Sequence, residues 1–397
     1  MITDQLRCPR CPSKPTTVQE AIAYACAICG TSLELIPRSL ATFPALAAED
    51  RGLPWRYPSL LPVGYAPDLD DHVVPRTVRS PLLESDLGVS EAWLVDCTGF
   101  GTGTFKDIEA AVVIGAAREL GLSRISVHST GNTALAYRHY ARRAAVPCAS
   151  YIPRQNVEKI GDIASAADYP VFLVDTDFPH VSAVAKAAAR ENGWHHLAPL
   201  AWKLEGKASL AWWLYETCPQ IDVIVQTVAG GYGPLGYETG FKRLRGMLDF
   251  GHHGVLKNRE YLLFQPADAD TLTRAWSSGT ASVALDDLRL PTDPFEPTLQ
   301  STNPVATLPA LRSTLPSGST FHAVSGEDVE RAKPWAEKVF AESGITLDYE
   351  RERSAYISLA GLMTRALNPS TRLALIVTGS RRFHYRENPE AWPVLAP

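Results

Sequence analysis

The chain has 397 residues, of which 45% are hydrophobic and 20% are charged, and its formal net charge is −5. These values indicate an ordinary globular protein of two or three domains and exclude the basic surface expected of a nucleic-acid-binding protein. The sequence has neither the apolar run of roughly 20 residues that a membrane-spanning helix needs nor a secretory signal at its start. We therefore expect a cytoplasmic protein that binds neither nucleic acid nor a membrane.

Four of the seven cysteines lie near the start of the chain, in two Cys-x-x-Cys pairs that 14 residues separate. Cysteines three positions apart can bind one cation from a tight turn, and four thiolates complete a closed tetrahedral zinc site. We predict a zinc-ribbon-like segment over residues 1–36, with a structural zinc ion bound by Cys8, Cys11, Cys26 and Cys29. The alternative is a segment that has lost its metal and keeps the thiols unligated.

Eight prolines between residues 37 and 92 predict an irregular segment with short strands and few long helices. Residues 92–96 then predict a buried strand that leads into the lysine loop, residues 97–106, which is rich in glycine and threonine and ends at Lys106. A helix is predicted over residues 108–120. We interpret Lys106 as an amine that attacks the aldehyde of a cofactor. A solvated lysine at a helix start is the alternative.

Short strands and helices alternate from residue 106 to residue 202. Strands are predicted at residues 124–128, 148–152, 170–174 and 194–197, and helices at residues 132–145, 157–166 and 181–191. Such alternation predicts a parallel sheet with both faces covered and with ligands at the carboxyl ends of its strands. The polar turn, residues 129–133 (Ser-Thr-Gly-Asn-Thr), lies at such an end. We interpret it as a cradle for the cofactor and for a substrate carboxylate; a helix cap is the alternative for Asn132.

The alternation continues to residue 262. Residues 204–207 are predicted to precede a helix that ends at Cys218. A strand is predicted at residues 221–226 and a helix at residues 235–247. The glycine loop between them, residues 227–234, favours a phosphate held by backbone N–H groups at a helix start. A tight turn is the alternative. The lysine of a nucleotide P-loop is missing, so a nucleoside triphosphate is not expected.

The last part of the chain begins with six prolines between residues 284 and 321, which predict a long connector. Helices are predicted at residues 326–344 and 355–367, and a strand at residues 372–377. Thr378 follows that strand and is either part of the site or a turn hydroxyl. Arg381 and Arg382 either bind an anionic substrate group or form a solvated basic tip.

The order of these motifs resembles threonine synthase, within the fold type II pyridoxal phosphate (PLP) enzymes related to the tryptophan synthase β chain. The resemblance is carried by residues 80–82, 102–107, 129–133, 204–207, 229–233, 352–355 and 377–379, and it covers most of the chain. It implies an α/β fold of two domains with parallel twisted sheets. The large PLP-binding domain would comprise residues 37–110 and 203–397, and the smaller α/β domain residues 111–202.

The resemblance also implies a role for each matched residue. Lys106 would bind PLP covalently, Asn132 would contact the phenolic oxygen of the cofactor, and Thr378 would meet the pyridine nitrogen. The phosphate would be wrapped by Ala229, Gly230, Gly231, Tyr232 and Gly233. The substrate carboxylate would contact Ser129, Thr130 and Thr133.

The activity implied by the resemblance is elimination or replacement on an activated amino acid, such as O-phosphohomoserine or a related anionic amino acid. A β-replacement enzyme of the cysteate or cysteine synthase type, acting on O-phosphoserine or O-acetylserine, is the alternative. A non-catalytic protein that keeps the fold and a nucleotide-binding α/β protein are two others. The expected partner is a small amino-acid substrate. Members of that family are often dimers, so the resemblance also allows a homodimer.

Overall fold

The computed structural model describes residues 5–8, 10–12, 17–23, 26–30, 33–35, 47–159, 167–176, 178–197, 200–248, 257–350, 352–379 and 393–395. Arg381 and Arg382, for which anion binding is one prediction, lie outside these residues. No helix in the described part of the chain is long and apolar enough to cross a membrane.

The larger sheet has the strand order β11-β10-β9-β12-β4-β3 within the described residues. Its strands are β3 (Arg76–Arg79), β4 (Glu91–Asp96), β9 (Val223–Thr227), β10 (Glu260–Pro266), β11 (Thr320–Val324) and β12 (Arg372–Val377). Only β3 runs antiparallel to its neighbour among these pairs. β12 is buried from Leu373 to Val377, as expected for a parallel strand covered on both faces.

The smaller sheet has the order β13-β7-β6-β5-β8 in the described part of the chain, and its neighbouring strands are parallel. Its strands are β5 (Ile125–His128), β6 (Cys148–Pro153), β7 (Val171–Val174), β8 (His195–His196) and β13 (Val394–Leu395). Two helices pack on it, α4 (Asn132–Arg143) and α5 (Phe178–Glu191). The sheet therefore joins residues from the middle of the chain to a short strand near its end.

Other α-helices of the described residues lie outside the smaller sheet and its two helices. They are α2 (Pro81–Leu87), α3 (Lys106–Glu119), α6 (Leu200–Thr217), α7 (Tyr232–Leu248), α8 (Thr271–Ser278), α9 (Pro304–Thr314), α10 (Gly326–Glu342) and α11 (Ser354–Met363). Helix α3 packs against α4 and α6 and is buried without interruption from Asp107 to Ala117. A helix that is buried on all sides and mostly apolar lies inside the protein, so α3 forms the central element of the core.

Three predictions about local structure are wrong. Residues 284–321 are not a connector, because they contain α9 and the first two residues of β11. Pro304 occupies the first turn of α9, where its missing N–H costs nothing. Residues 204–207 lie inside α6 and do not precede it. Residues Arg154–Lys159 form a 3-10 helix where an α-helix over 157–166 was predicted, and residues 160–166 lie outside the described part.

Gly206 explains why residues 204–207 look like a helix boundary in the sequence. A Cβ at this position would lie 2.3 Å from the carbonyl oxygen of Ile108 and 2.6 Å from the Cα of Glu109. The glycine therefore permits α6 to cross α3 with the two backbones in contact. Its role is close helix packing within α6, which a single sequence does not distinguish from a helix end.

The N-terminal segment combines a two-stranded antiparallel sheet, β1 (Leu6–Arg7) with β2 (Glu34–Leu35), and one short helix, α1 (Val18–Ala23). The indole N–H of Trp202, on α6, donates a hydrogen bond to the carbonyl oxygen of Ala21. This contact joins the cysteine-containing segment to the main body of the protein.

Candidate active site

A cavity lies at the carboxyl ends of β5, β9 and β12. Every residue predicted to bind the cofactor or the substrate lines it: Lys106, Ser129, Thr130, Asn132, Thr133, Ala229, Gly230, Gly231, Tyr232, Gly233 and Thr378. It is also lined by residues for which the sequence suggested no role, including His128, Lys203, Gln226, Gln300, Asn303 and Glu352. The tertiary structure thus collects three separated loops around one space.

The lysine loop is held against the end of β12. The backbone N–H of Phe105 donates to the carbonyl oxygen of Thr378 at 2.8 Å, and Thr104 forms an isolated antiparallel bridge with Gly379. The carboxylate of Asp107 accepts a hydrogen bond from the backbone N–H of Thr102 at 2.6 Å, which fixes the turn that precedes α3. These bonds bring Lys106, the first residue of α3, to the same side of the cavity as Thr378.

Lys106 lies beside a buried carboxylate. Its Nζ is 3.9 Å from Oε2 of Glu109, and its side chain is 25% exposed whereas that of Glu109 is 1% exposed. Glu109 also forms an ion pair with Lys207, which comes from α6. Burial by itself would raise the pKa of Glu109, but the charges of Lys106, Lys207 and Lys203 outweigh it and lower that pKa to about 2. Glu109 is therefore ionised at neutral pH.

The other two lysines of this cluster lie one helical turn apart on α6. Burial lowers the pKa of Lys207 to about 7, against the opposing effect of Glu109. Burial likewise lowers the pKa of Lys203, whose Nζ lies 5.4 Å from the ring centroid of Tyr232. Lys203 lines the cavity. The site therefore has an excess of potential positive charge around one carboxylate.

The polar turn is braced by hydrogen bonds on both sides. The N–H of Gly131 donates to Oγ of Ser129 at 3.0 Å, and Nδ2 of Asn156 donates to the carbonyl oxygen of Thr130 at 2.8 Å. Gly131 has φ 151°, a conformation that favours glycine. Asn132 begins α4, and its buried Oδ1 has no hydrogen-bond partner among the described residues. The turn thus offers an unused acceptor and a helix start to the cavity.

The glycine loop precedes the N-terminus of α7 and brings its backbone against the cavity. Gly231 has φ 75°. A Cβ at Gly230 would lie 2.4 Å from Cβ of Asn303, and one at Gly233 would lie 2.8 Å from the side-chain amide of Gln226. Side chains at these positions would collide with Asn303 and Gln226, so the loop needs glycine to pack this closely. The positive end of α7, which lines the cavity, suits an anion such as a phosphate.

Thr378 is paired with a second hydroxyl. Its Oγ1 lies 3.0 Å from Oγ of Ser354, the first residue of α11, and both side chains are buried. A hydroxyl, in contrast to a carboxylate, carries no negative charge into the cavity at this point. The end of β12 therefore presents a neutral hydrogen-bonding group.

His128 lines the cavity although nothing in the sequence assigns it a role. Its Nδ1 lies 2.9 Å from Nε2 of His196, the two rings are stacked with centroids 5.1 Å apart, and Ser126 Oγ is 2.9 Å from His196 Nδ1. Burial lowers the pKa of His128 and brings that of His196 to about 4, so both rings are neutral at pH 7. No sequence signal links two histidines 68 positions apart.

The four N-terminal cysteines form a compact cluster. All four Sγ atoms lie within 4.8 Å of one another, and the Sγ atoms of Cys8 and Cys29 are 3.5 Å apart. The backbone N–H of Cys11 donates to Sγ of Cys8 at 3.2 Å, as in a tight knuckle turn. Four sulfurs at such distances can bind one tetrahedral metal ion. The sequence prediction of a metal-binding cluster agrees with this geometry.

Residues 72–379 match the family model described as pyridoxal-phosphate dependent enzyme. The chain therefore belongs to the pyridoxal-phosphate-dependent enzyme family. The resemblance to fold type II PLP enzymes and the predicted α/β fold are confirmed.

Three curated relatives extend this assignment. The chain is 30% identical over 226 residues to a threonine synthase of Methanocaldococcus jannaschii, covering 54% of each protein. It is 22% identical over 336 residues to a threonine synthase of Methanosarcina acetivorans, covering 83% of this chain and 80% of that one. A cysteate synthase of Methanocella paludicola is 30% identical over 131 residues, 30% of each protein. The match thus spans about half of the first relative and most of the second.

Solved structures support the fold. The diaminopropionate ammonia lyase of Escherichia coli aligns with a TM-score of 0.61 at 14% identity, covering 80% of this chain and 85% of that one. At this level of identity the likeness concerns the fold alone.

The cavity fits PLP on features of its own. Lys106 provides a partly exposed amine, the glycine loop brings the start of α7 to the cavity, and Thr378 provides a neutral hydroxyl. A helix start of this kind suits a phosphate. The buried Oδ1 of Asn132 lacks a partner among the described residues, which is expected where a ligand completes the hydrogen bonding. The residues present are thus compatible with the cofactor of the family.

Proposed function

We propose that the protein is a PLP-dependent lyase of the threonine synthase type, which catalyses elimination or replacement on an activated amino acid with an anionic side chain. The observation that carries the proposal is the convergence of Lys106, the polar turn, the glycine loop and Thr378 on one cavity. The relatives named threonine synthase favour O-phosphohomoserine or a closely related substrate.

Four elements would hold the cofactor. Lys106 would bind its aldehyde covalently through Nζ, Asn132 would contact its phenolic oxygen, and Thr378 its pyridine nitrogen. Its phosphate would lie against the backbone of Ala229, Gly230, Gly231, Tyr232 and Gly233, at the positive end of α7. When bound, PLP supplies an electron sink for the bond that breaks at Cα.

Lys106 is also the group that would move the α-proton. Its amine lies at the cavity wall, and a quarter of its side chain is exposed. A neutral amine in a partly desolvated site is an effective base. Glu109 is buried behind it and stays ionised, so it would stabilise the ammonium that forms. The α-proton would therefore rest on Nζ of Lys106.

Thr378 would select the type of reaction. Its hydroxyl is hydrogen-bonded to Ser354 and carries no charge, so it would not keep a pyridine nitrogen protonated as a carboxylate would. That favours elimination and replacement over transamination. The bond between the two buried hydroxyls supports this role because it orients Oγ1 of Thr378.

The substrate would be bound by two sets of groups. Its carboxylate would contact the hydroxyls and N–H groups of Ser129, Thr130 and Thr133 at the start of α4, where the helix dipole favours an anion. An anionic side-chain group would be attracted by Lys203, which lines the same cavity. Both sets suit an amino acid with a second acidic group.

The test has two parts. The full chain is loaded with PLP and treated with borohydride, and peptide mapping should show the label at residue 106; Lys106→Ala should lose it, whereas the control Lys338→Ala, at an exposed position of α10, should keep it. Turnover is then measured as phosphate release from O-phosphohomoserine and O-phosphoserine, and as acetate release from O-acetylserine. A label at another residue, or none, would contradict the proposal for Lys106.

A β-replacement enzyme is the second candidate, and the local similarity to a cysteate synthase favours it. It predicts phosphate release from O-phosphoserine and none from O-phosphohomoserine. A labelled chain without turnover of any of the three substrates would instead indicate a non-catalytic protein with this fold.

We further propose that zinc is the metal of the cysteine cluster. Four thiolates without a carboxylate or histidine favour zinc over harder cations, and a site with four protein ligands has no position left for chemistry. Its role would be structural, because the N-terminal segment has only short strands and one short helix.

The domain division into residues 1–36, residues 37–110 with 203–397, and residues 111–202 is also a proposal. In its support, β3, β4 and β9 to β12 share one sheet while β5 to β8 share the other, although β13 from the chain end pairs with β7. Sedimentation would test the homodimer.

A further inference from the structure

A second cavity, of about 780 Å³, lies between α10, the start of β3 and the end of β4. Arg76, the first residue of β3, holds its wall together. Its Nη2 lies 3.5 Å from Oδ2 of Asp96 and donates a hydrogen bond to the carbonyl oxygen of Gly344 at 2.6 Å. The volume falls within the range of about 300–1,000 Å³ that is usual for small-molecule sites.

Two opposite charges of α10 line this second cavity. Lys333 and Glu337 stand one helical turn apart, and neither side chain forms a hydrogen bond or ion pair with a residue in the described part of the chain. Glu337 is exposed and Lys333 is half-buried, so a small molecule can reach both. Side chains at this spacing have Cβ atoms about 5–6 Å apart, which suits the ammonium and the carboxylate of one free amino acid.

Aromatic rings form another part of the lining. Nζ of Lys333 lies 4.2 Å from the ring centroid of Tyr349, and the rings of Tyr349 and Tyr356 meet edge to face with centroids 4.8 Å apart. These rings offer an apolar surface beside the two charges. Asp348 and Glu350 also line the cavity, and their carboxylates would repel a ligand with an acidic side chain.

The walls of the second cavity continue into the active site. Thr98 lines it and belongs to the lysine loop, and its backbone N–H donates to Oδ1 of Asp96 at 2.9 Å. Glu352, which lines the active-site cavity, donates its backbone N–H to the carbonyl oxygen of Asp348 at 3.0 Å. A ligand in the second cavity would therefore restrain two segments that reach the active site.

We propose that the second cavity binds a free amino acid whose side chain is not acidic, and that this ligand restrains the lysine loop. Lys333 binds the carboxylate of the amino acid, Glu337 binds its ammonium group, and the ring of Tyr349 packs against its carbon atoms. The site itself does not rest on the proposed function, because a substrate with a second acidic group would be repelled here. Its value as a regulator of a lyase does rest on that function.

The first experiment measures binding by isothermal titration calorimetry. The full chain is loaded with PLP and reduced with borohydride, so that an amino acid cannot react with the cofactor, and each proteinogenic amino acid is then titrated in turn. At least one without an acidic side chain should bind at one per chain, and aspartate and glutamate should bind at least about tenfold more weakly. Lys333→Met and Glu337→Gln should each weaken binding about tenfold, because each removes a charge-assisted hydrogen bond.

The same helix provides matched controls. Lys338 and Glu342 have the same spacing on α10, and they form an exposed pair with Nζ and Oε1 3.9 Å apart. Lys338→Met and Glu342→Gln should bind the amino acid as the wild type does. Circular dichroism confirms that all four variants are folded.

Hydrogen exchange in the reduced chain tests the restraint of the lysine loop. With the amino acid at about ten times its dissociation constant, amides of residues 97–106 and 344–350 should exchange about tenfold more slowly, because the openings that expose them destroy the site. Residues 125–128 in β5 serve as the internal reference and should not change. Lys333→Met should remove the effect.

Absence of binding by every amino acid, or binding that survives both Lys333→Met and Glu337→Gln, overturns the proposal. Tightest binding of aspartate or glutamate overturns the assignment of ligand class. Slower exchange at residues 344–350 without any change at residues 97–106 overturns the effect on the lysine loop. If borohydride never attaches PLP to residue 106 while the calorimetry gives the expected order, the proposed function fails and the second site stands.

Discussion

The side-chain amide of Asn132 donates a hydrogen bond to Oε2 of Glu352 at 3.2 Å. Asn132 begins α4, which packs on the smaller sheet, and Glu352 immediately precedes the segment that leads into α11 beside the larger sheet. The bond therefore joins the two walls of the cavity at the polar turn. It leaves for a ligand the second N–H of the amide and the Oδ1, which has no partner among the described residues.

Asn132→Ala should weaken cofactor binding. It removes a hydrogen bond from a buried site and leaves Glu352 with one donor fewer, so the dissociation constant of PLP should rise about tenfold, in line with roughly 1–1.5 kcal/mol for one hydrogen bond. An absorbance titration of the cofactor-free chain measures it. Asn192→Ala, at an exposed position after α5, is the control. Equal dissociation constants for Asn132→Ala and wild type would show that Asn132 does not contact the cofactor.

Thr378→Val should destabilise the protein through Ser354. The valine keeps the shape of the side chain but leaves the buried Oγ of Ser354 without its present partner, which should lower the free energy of unfolding by about 1–3 kcal/mol. Urea denaturation measures the change. Ser354→Ala should lower the free energy of unfolding less in the Thr378→Val background than in the wild type, because the two hydroxyls are hydrogen-bonded to each other. Strict additivity would mean that the 3.0 Å contact is not a hydrogen bond.

Gly206→Ala should disrupt the crossing of α3 and α6. The new Cβ would lie 2.3 Å from a backbone oxygen, and neither backbone can move away without displacing Glu109 and Lys207. We expect the free energy of unfolding to fall by about 3 kcal/mol, the upper part of the range for overpacking. Gly246→Ala is the matched control, since nothing lies within 4 Å of its Cβ near the exposed end of α7. That variant should be neutral or up to about 1 kcal/mol more stable.

Asp107 should make stability depend on pH. Burial raises its pKa from 3.8 to about 6, although the hydrogen bonds from Thr102 oppose the rise. The folded state then binds the proton more tightly than the unfolded state. The contribution of Asp107 to the free energy of unfolding is therefore complete below about pH 4 and is lost as pH rises through 6. Relative to Asp107→Asn, the wild type should lose about 3 kcal/mol of unfolding free energy between pH 4 and pH 7.

Denaturant titrations at several pH values measure this difference, with Asp286→Asn at an exposed position as the control. Parallel pH profiles for the wild type and Asp107→Asn would mean that Asp107 titrates alike in the folded and unfolded states.

Loss of one cysteine should abolish metal binding. The purified chain should contain one zinc ion, and Cys26→Ser should reduce this to a small fraction because a tetrahedral site needs its four thiolates. Atomic absorption measures the metal content. Cys218→Ala, a buried cysteine outside the cluster, should keep the metal. A metal-free wild type whose amide exchange is unchanged by a chelator would exclude a structural zinc ion.

Local patterns were sufficient to predict most of the parallel strands and the three loops of the site. Buried apolar runs such as Leu373 to Val377 are visible in the sequence, and Gly231 and Gly131 mark the loops because few other residues suit their backbones. The prediction failed between residues 284 and 321, since a proline can begin a helix as readily as it interrupts one.

The cluster of lysines around Glu109 could not be predicted from local sequence patterns. Lys203 and Lys207 stand one helical turn apart, a spacing that could have indicated a shared helix face. Nothing in that spacing says that the face meets Glu109 from another helix. The site therefore needed the packing of α6 on α3 before its electrostatics could be described.

The sequence by itself determined the class of fold, the cysteine pairs and the loops that would meet a cofactor, because backbone conformation and hydrophobic periodicity depend on near neighbours in the chain. The tertiary structure alone decided which charged groups share one buried space. Lys207 and Glu109 are 98 positions apart, and their ion pair forms only because two helices cross at a residue without a side chain, Gly206.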